Sequence, residues 1–246
     1  MRVLVLGVGD AFSALHYSSC LAVEADGRWL LIDCPHPIRK ILRESGGAAG
    51  VTLDVGDLEG VALTHLHADH ASGLEGLGYF SFFVSKRKAR LLVHPAVAAR
   101  LWEGHLAAGM EQLLPAVDAA PKPYGFRDYF EPIDLDLDRP VELGPFSIEC
   151  RRTIHHIPTT AFRIRAGGRC LGYSADTAFD PSLLAWLHAA DLVIHETNYG
   201  VHTPYARLAE LPAAQRARMR LIHYPDDFDL AASAITPLRQ GELLEV

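Results

Sequence analysis

The run Thr64-His65-Leu66-His67-Ala68-Asp69-His70 places three of the chain's thirteen histidines and an aspartate within six positions. It follows Val61-Ala62-Leu63-Thr64, which reads as a strand, and in extended chain His65 and His67 project to the same side. Asp69 suits the N-cap of a following helix, a turn that brings it and His70 round to the same strand end. Imidazole nitrogens and a carboxylate converging there suit Zn²⁺ or a similar first-row cation. One such cluster does not fill two metal sites, and three later segments offer partners at strand ends. They are Thr153-Ile154-His155-His156, Gly172-Tyr173-Ser174-Ala175-Asp176-Thr177 and Leu221-Ile222-His223-Tyr224. Together they supply the ligands of a two-metal hydrolytic site.

Elements of a regular rhythm must carry these segments. Residues 2–6 and 29–33 are apolar runs bounded by Gly or Asp, and read as buried strands, with another over Cys20 to Glu24. Pro37 to Glu44 reads as a helix with Gly46-Gly47 just past its end. Leu91-Leu92-Val93 is a strand, followed by a helix from Pro95 to about His105. Strands at 141–151, 162–166 and 169–173 precede a helix opened by Asp180-Pro181, then a strand from Asp191 to His195. A helix over 203–218 and a strand from Arg220 to His223 close the pattern. This mixture of hairpins and strand–helix units predicts a sheet-rich α/β or α+β sandwich with helices outside. Residues 115–140 break the rhythm with five prolines and the aromatics Tyr124, Phe126, Tyr129 and Phe130. They read either as a lid or interface element or as a loop pinned to the core by its rings.

Composition limits the function. The chain has 246 residues, 49% of them hydrophobic and 22% charged, which excludes a disordered or disulfide-stapled chain. No repeat or flexible linker divides it, so residues 1–246 read as one domain. Lys+Arg 23 against Asp+Glu 30 leaves −7, which argues against a protein that coats polyanions. The basic runs Lys86-Arg87-Lys88 and Arg216 to Arg220 read as solvated faces. No stretch approaches a membrane span, and Met1 to Gly7 reads as a first strand rather than a signal-peptide core. Cys20, Cys34, Cys150 and Cys170 form no Cys-x-x-Cys pair, and read as buried thiols of a reducing compartment, the cytoplasm.

The ordered set His65, His67, Asp69, His70, His155, Asp176 and His223 resembles the metallo-β-lactamase superfamily, in the branch that holds ribonuclease Z and small phosphodiesterases. The likeness extends from Leu6-Gly7-Val8-Gly9-Asp10-Ala11-Phe12 and Leu31-Ile32-Asp33-Cys34 to Leu221-Ile222-His223. It implies a four-layer αβ/βα sandwich with two facing mixed sheets and two divalent ions, zinc first, with manganese or iron as alternatives. By that likeness His65, His67 and His155 hold one metal, Asp69, His70 and His223 the other, and Asp176 bridges them. In this branch the ligand His lies a fixed distance before an aromatic–Arg–aliphatic strand, and Phe162-Arg163-Ile164 then selects His155 over His156. The strand end Leu192-Val193-Ile194-His195-Glu196-Thr197 resembles the His-Glu-Ala-Thr element of ribonuclease Z. This implies His195 as general acid or phosphate stabiliser, with Glu196 orienting it and His202 in reserve.

Two divalent cations, two aspartates and a bridging hydroxide leave about one net positive charge, which favours an anionic phosphodiester. Asp69 can accept a hydrogen bond from the attacking water. The chain also departs from the likeness. Ribonuclease Z carries a transfer-RNA-gripping arm between the ligands matching His155 and Asp176, but here Asp176 comes only 21 positions after His155. Cys34-Pro35-His36-Pro37 stands where Gly-Glu-Gly-Thr is usual, which leaves His36 either solvent-facing or at the site rim. Gly7-x-Gly9 lacks the rest of a dinucleotide fingerprint and reads as a turn beside the metals. The expectation is a phosphodiesterase for a small diester or cyclic nucleotide, forming a homodimer through residues 104–140. The alternatives are a ribonuclease Z-like nuclease, an ester, lactone or β-lactam hydrolase, and a metal-containing ligand-binding protein.

Overall fold

The strand β1 (Arg2–Gly7) shows how the layers arise. Val3 and Val5 point into a core shared with a second sheet, while Leu4 and Leu6 point into a separate core under helices. A strand that is apolar on both faces needs cover on both. In the computed structural model, which describes residues 1–246, the chain continues through β2 (Cys20–Ala25), β3 (Arg28–Ile32), β4 (Leu58–Leu63) and β5 (Ala89–Val93). A short hairpin, β6 (Gln112–Leu113) and β7 (Lys122–Pro123), precedes β8 (Phe130–Asp134) and β9 (Val141–Leu143). Then come β10 (Phe146–Arg152), β11 (Thr160–Ala166), β12 (Arg169–Tyr173), β13 (Leu192–Glu196), β14 (Met219–Ile222) and β15 (Leu243–Glu245).

Seven strands form one sheet in the order β15-β1-β2-β3-β4-β5-β8, and six form the other in the order β14-β13-β12-β11-β10-β9. Each is mixed: β3, β4, β5 and β8 run parallel in the first, β12, β13 and β14 in the second. Between them lies the larger core, including Val23, Ile32, Ile148, Phe162, Ile164 and Ile194. The helix Ile38–Ala48 covers the outer face of the first sheet with Ile38, Ile41 and Leu42, one stripe at helical spacing. On the second sheet Leu183, Leu184 and Leu187 come from the helix Pro181–Leu187, which Asp180 caps by accepting from Ser182 N–H. The expected αβ/βα sandwich is the observed architecture.

Local boundaries differ from the sequence reading for identifiable reasons. The first helix runs on through Gly46-Gly47 to Ala48; a Cβ on Gly46 would lie 2.7 Å from the Val51 carbonyl, so glycine serves close approach rather than termination. The stretch 203–218 is two helices, Tyr205–Ala209 and Ala213–Arg216, separated before Pro212, which cannot continue a helix. Residues 141–151 are β9 and β10, hinged at Gly144 with φ +55°. The helical segment from Pro95 continues through a wider turn at Trp102–Leu106 to Met110. Within 115–140, Tyr129 and Phe130 are buried in the outer core and Tyr124 and Phe126 pack against it. These rings pin the segment.

Parallel strands bring their C-terminal ends to one edge of the sandwich. There β3, β4, β12, β13 and β14 hand over to Asp33, Thr64-His65, Ser174-Ala175-Asp176, Thr197 and His223. Three of the five non-glycine residues with left-handed backbone, Asp33 (φ 62°), Ala175 (51°) and His223 (59°), sit at these exits. Such strain gathers where a chain must aim side chains at one point.

Candidate metal centre

Two groups of donors meet at that edge and share Asp176. His65, His67, His155 and Asp176 form one, and Asp69, His70, Asp176 and His223 the other; the donor atoms in each lie within 4.8 Å of one another. His67 Nδ1 faces His65 Nε2 at 3.0 Å and His155 Nε2 at 3.1 Å. Asp176 Oδ2 is 3.7 Å from His65 Nε2 and 3.6 Å from His155 Nε2. Across the cluster His70 Nε2 is 3.3 Å from both Asp69 Oδ2 and Asp176 Oδ1, and His223 Nε2 is 3.2 Å from Asp69 Oδ2. Ligands about a tetrahedral zinc, at ~2.0–2.1 Å from the metal, stand about 3.3 Å apart. The observed spacings match that edge.

The outer nitrogens fix which atom faces inward. His70 Nδ1 pairs with Asp33 Oδ2 at 2.8 Å, which turns Nε2 toward the two carboxylates, where it would offer its lone pair to a cation. That Nε2 is buried and has no hydrogen-bond partner of its own. Thr64 Oγ1 donates to Asp33 at 2.8 Å and so accepts from His65 Nδ1 at 2.9 Å, again freeing Nε2. His223 Nδ1 looks at Glu196 Oε2 across 4.0 Å, and neither atom has another partner. A buried, orphaned nitrogen between carboxylates and three imidazole nitrogens pointed at one another both call for a cation. The residues present fit two divalent ions.

Electrostatics divide the cluster. Burial pushes His155 down to about 4, carries His65 well below the ordinary imidazole value and lowers His67. For His223 burial acts the same way, but Asp176 and the hydrogen bond to Asp69 outweigh it and hold the group at about 9. His70 lies well above its ordinary value because Asp176, Asp33 and Asp69 overcome burial. Asp69 and Asp176 stay well below the usual carboxylate range despite burial, held there by His70 and His223.

Every histidine and aspartate of the ordered set is therefore brought together. Asp69 does not cap a helix: His67 occupies the cap position of the turn Ala68–Ala71, and Asp69 lies inside the first turn. His156 is exposed beside His155 and joins neither group, and His36 is exposed as well. His195 is also outside. It is 1% exposed, its Nδ1 bonds to the Glu196 carbonyl at 2.7 Å, and burial pushes it down to about 4. Neighbours on a strand face opposite ways, and Glu196 is the one whose carboxylate looks into the site. Its Oε1 accepts from Thr177 N–H at 2.6 Å and meets His202 Nδ1 at 2.9 Å. His202, half-buried, stacks on His223 with ring centroids 5.2 Å apart.

Sequence reasoning missed the roles of Asp33 and Thr64. Their signal was a carboxylate and a hydroxyl placed directly after apolar strands, where burial demands partners. Gly7-x-Gly9 is not the expected turn: Gly7 ends β1 and Gly9 bridges to Ser18 and Tyr224, while the Val8 carbonyl between them accepts from His223 N–H at 2.9 Å and so ties the segment to the site.

A family model described as anti-Pycsar protein Apyc1 matches residues 1–241. A relative from Saccharibacillus brassicae, the anti-Pycsar protein Apyc1, is 30% identical over 235 residues, covering 92% of this chain and 91% of its own. Among solved structures, the metallo-beta-lactamase fold protein YhfI from Bacillus subtilis has a TM-score of 0.76 at 20% identity, covering 99% of each chain. Human tRNase Z, short form, has a TM-score of 0.69 at 22% identity, covering 100% of this chain and 99% of its own. These structural likenesses show the metallo-β-lactamase fold.

Proposed function

The chain belongs to the anti-Pycsar protein Apyc1 family, and from that premise we propose that it is a dinuclear zinc phosphodiesterase acting on a small diester such as a cyclic nucleotide. One observation carries the reading: two donor groups at tetrahedral spacing share Asp176, with His70 Nε2 buried and unpartnered between carboxylates. His65, His67 and His155 would hold one ion, Asp69, His70 and His223 the other, with Asp176 between. When bound, such ions acidify water towards neutrality and neutralise phosphoryl oxygens.

The chain's own residues do the rest. Asp69 meets His70 and His223 through Oδ2 alone, so Oδ1 is available to accept a proton from the attacking water and orient it. Glu196 holds His202 by Nδ1, which leaves Nε2 to give a proton to the departing alkoxide. The role first assigned to His195 thus passes to His202. A small substrate is favoured over structured RNA because β11 and β12, joined at Gly167-Gly168, fill the interval where an arm would be inserted. The net charge of −7 points the same way. No helix is long and apolar enough to cross a membrane, and four free, buried thiols support a reducing cytoplasm. Leu114 and Val117 stand exposed in the 104–140 segment and support pairing of two copies there. Light scattering should then give twice the chain's 26.9 kDa.

The test is hydrolysis by the metal-loaded protein of bis(p-nitrophenyl) phosphate and a panel of cyclic nucleotides. Nucleoside monophosphate as product is the expected result. Inert diesters, or an uncharged ester turned over far faster, would overturn the reading.

A further inference from the structure

We propose that the cavity walled by Asn198, Tyr199, Pro204, Tyr205, Pro225 and Phe228 is the subsite for the base of a nucleotide substrate. The inference rests on the phosphodiesterase reading above, and it assigns a place to the part of the substrate that does not react.

Its position comes first. Residues 197–201 connect Glu196 to His202, and Pro225 lies two residues beyond His223. Asn198 Nδ2 donates both to the His223 carbonyl at 3.1 Å and to Asp10 Oδ2 at 2.9 Å. One wall of the cavity is thus tied directly to the backbone of a candidate metal ligand.

Its size and lining decide what fits. The cavity holds about 220 Å³, below the ~300–1,000 Å³ that encloses a whole drug-sized ligand. One ring system enters, and a phosphate attached to it stays outside. Tyr205 meets Phe228 edge to face with centroids 5.2 Å apart, and Phe228 stacks on Tyr224 at 5.6 Å. Tyr199 is 67% exposed at the rim, yet its hydroxyl is held by Asp227 at 3.1 Å, so the ring is oriented without being buried. Asn198 has both ends of its amide engaged, since Oδ1 accepts from Tyr199 N–H at 2.7 Å. The walls offer ring faces in preference to free polar groups, and stacking is the interaction they can give a flat heterocycle.

The experiment compares wild type, Tyr199→Ala and Tyr199→Phe, all metal-loaded, on 3′,5′-cyclic AMP and on an abasic ribose 3′,5′-cyclic phosphate. Tyr199→Ala should raise KM for cyclic AMP on the order of tenfold, the loss of one base–aromatic stack, with kcat within about twofold. Its KM for the abasic diester should not move, and Tyr199→Phe, which keeps the ring but loses the bond to Asp227, should recover most of the tenfold. Because Tyr199 is exposed, the alanine variant should melt at the wild-type temperature. A KM unchanged on both substrates, raised equally on both, or raised by Tyr199→Phe as much as by Tyr199→Ala refutes the subsite. So does a wild-type enzyme no better with cyclic AMP than with the abasic diester. Failure of wild type on both diesters refutes the phosphodiesterase reading itself.

Discussion

The two halves of the donor cluster solve the same problem with different support. His70 and His223 have buried carboxylates behind them, Asp33 at 2.8 Å and Glu196 at 4.0 Å. Opposite them, His65 has only the Thr64 hydroxyl, and His155 Nδ1 has no partner. A carboxylate behind an imidazole raises its basicity and locks its orientation; at His223 Glu196 adds to the larger effects of Asp176 and Asp69 that hold it at about 9, while burial takes His155 down to about 4. One half, with two imidazoles and a carboxylate, is thus braced by a hydrogen bond at His70, while the three imidazoles of the other rely on the Thr64 hydroxyl and backbone placement. Asp176 belongs to both.

The sharpest break of this contrast is to remove what the halves share. Asp176→Ala should reduce kcat/KM on the order of 10³-fold or more, about 4 kcal/mol of barrier, and metal analysis should find fewer than two ions per chain. Circular dichroism would confirm that the variant is folded. Full turnover with two ions retained would mean that the halves do not depend on a common carboxylate.

Next comes the pair of histidines around Glu196. His202→Ala should cost about 10²-fold in kcat on a cyclic nucleotide, the usual scale of a positioned acid. On bis(p-nitrophenyl) phosphate the loss should be much smaller, because nitrophenolate leaves without a proton. His195→Gln should stay within about twofold on both substrates. The reverse pattern would return the acid role to His195.

Bracing itself is tested by Asp33→Asn. The amide oxygen can still accept from Thr64 N–H and Oγ1, so His65 keeps its support, while the charge behind His70 is lost. Competition with a chelator should show one zinc equivalent bound about 10–100-fold more weakly and the other unchanged. Equal weakening of both would show that bracing does not separate the halves.

Much of this centre was legible because candidate metal donors at strand ends leave local traces: His65-x-His67 in strand phase, Asp176 and His223 just beyond apolar runs. The sandwich was legible for the same reason, since Val3/Val5 and Leu4/Leu6 announce cover on both faces. What escaped depended on contacts distant in the chain. Asp33 lies 37 residues from His70, and no spacing rule relates them. His195 and Glu196 are adjacent, and nothing local says which of them points at the site; that was fixed by β13 packing between β12 and β14. Pro212 was a local stop signal that the helix reading overran.

His195 carries the contrast between braced and unbraced imidazoles to its limit, and so supplies the smallest test. It is as buried as His70 but has a backbone carbonyl for partner instead of a carboxylate, and burial holds it at about 4, against an unfolded value near ~6.5. A depressed imidazole binds fewer protons in the folded state than in the unfolded one. Its contribution is therefore fully present above about pH 6.5 and is lost as pH falls through about 4. Replacing it with Gln, which cannot titrate, should flatten this part of the acid limb. The gap in Tm between wild type and His195→Gln should change by a few degrees between about pH 7 and pH 4.5, with Gln gaining on wild type as the medium becomes acidic. A gap that stays constant across that interval would mean that burial does not depress His195, and wild type gaining on Gln would mean that it is protonated in the folded protein beside a charged partner.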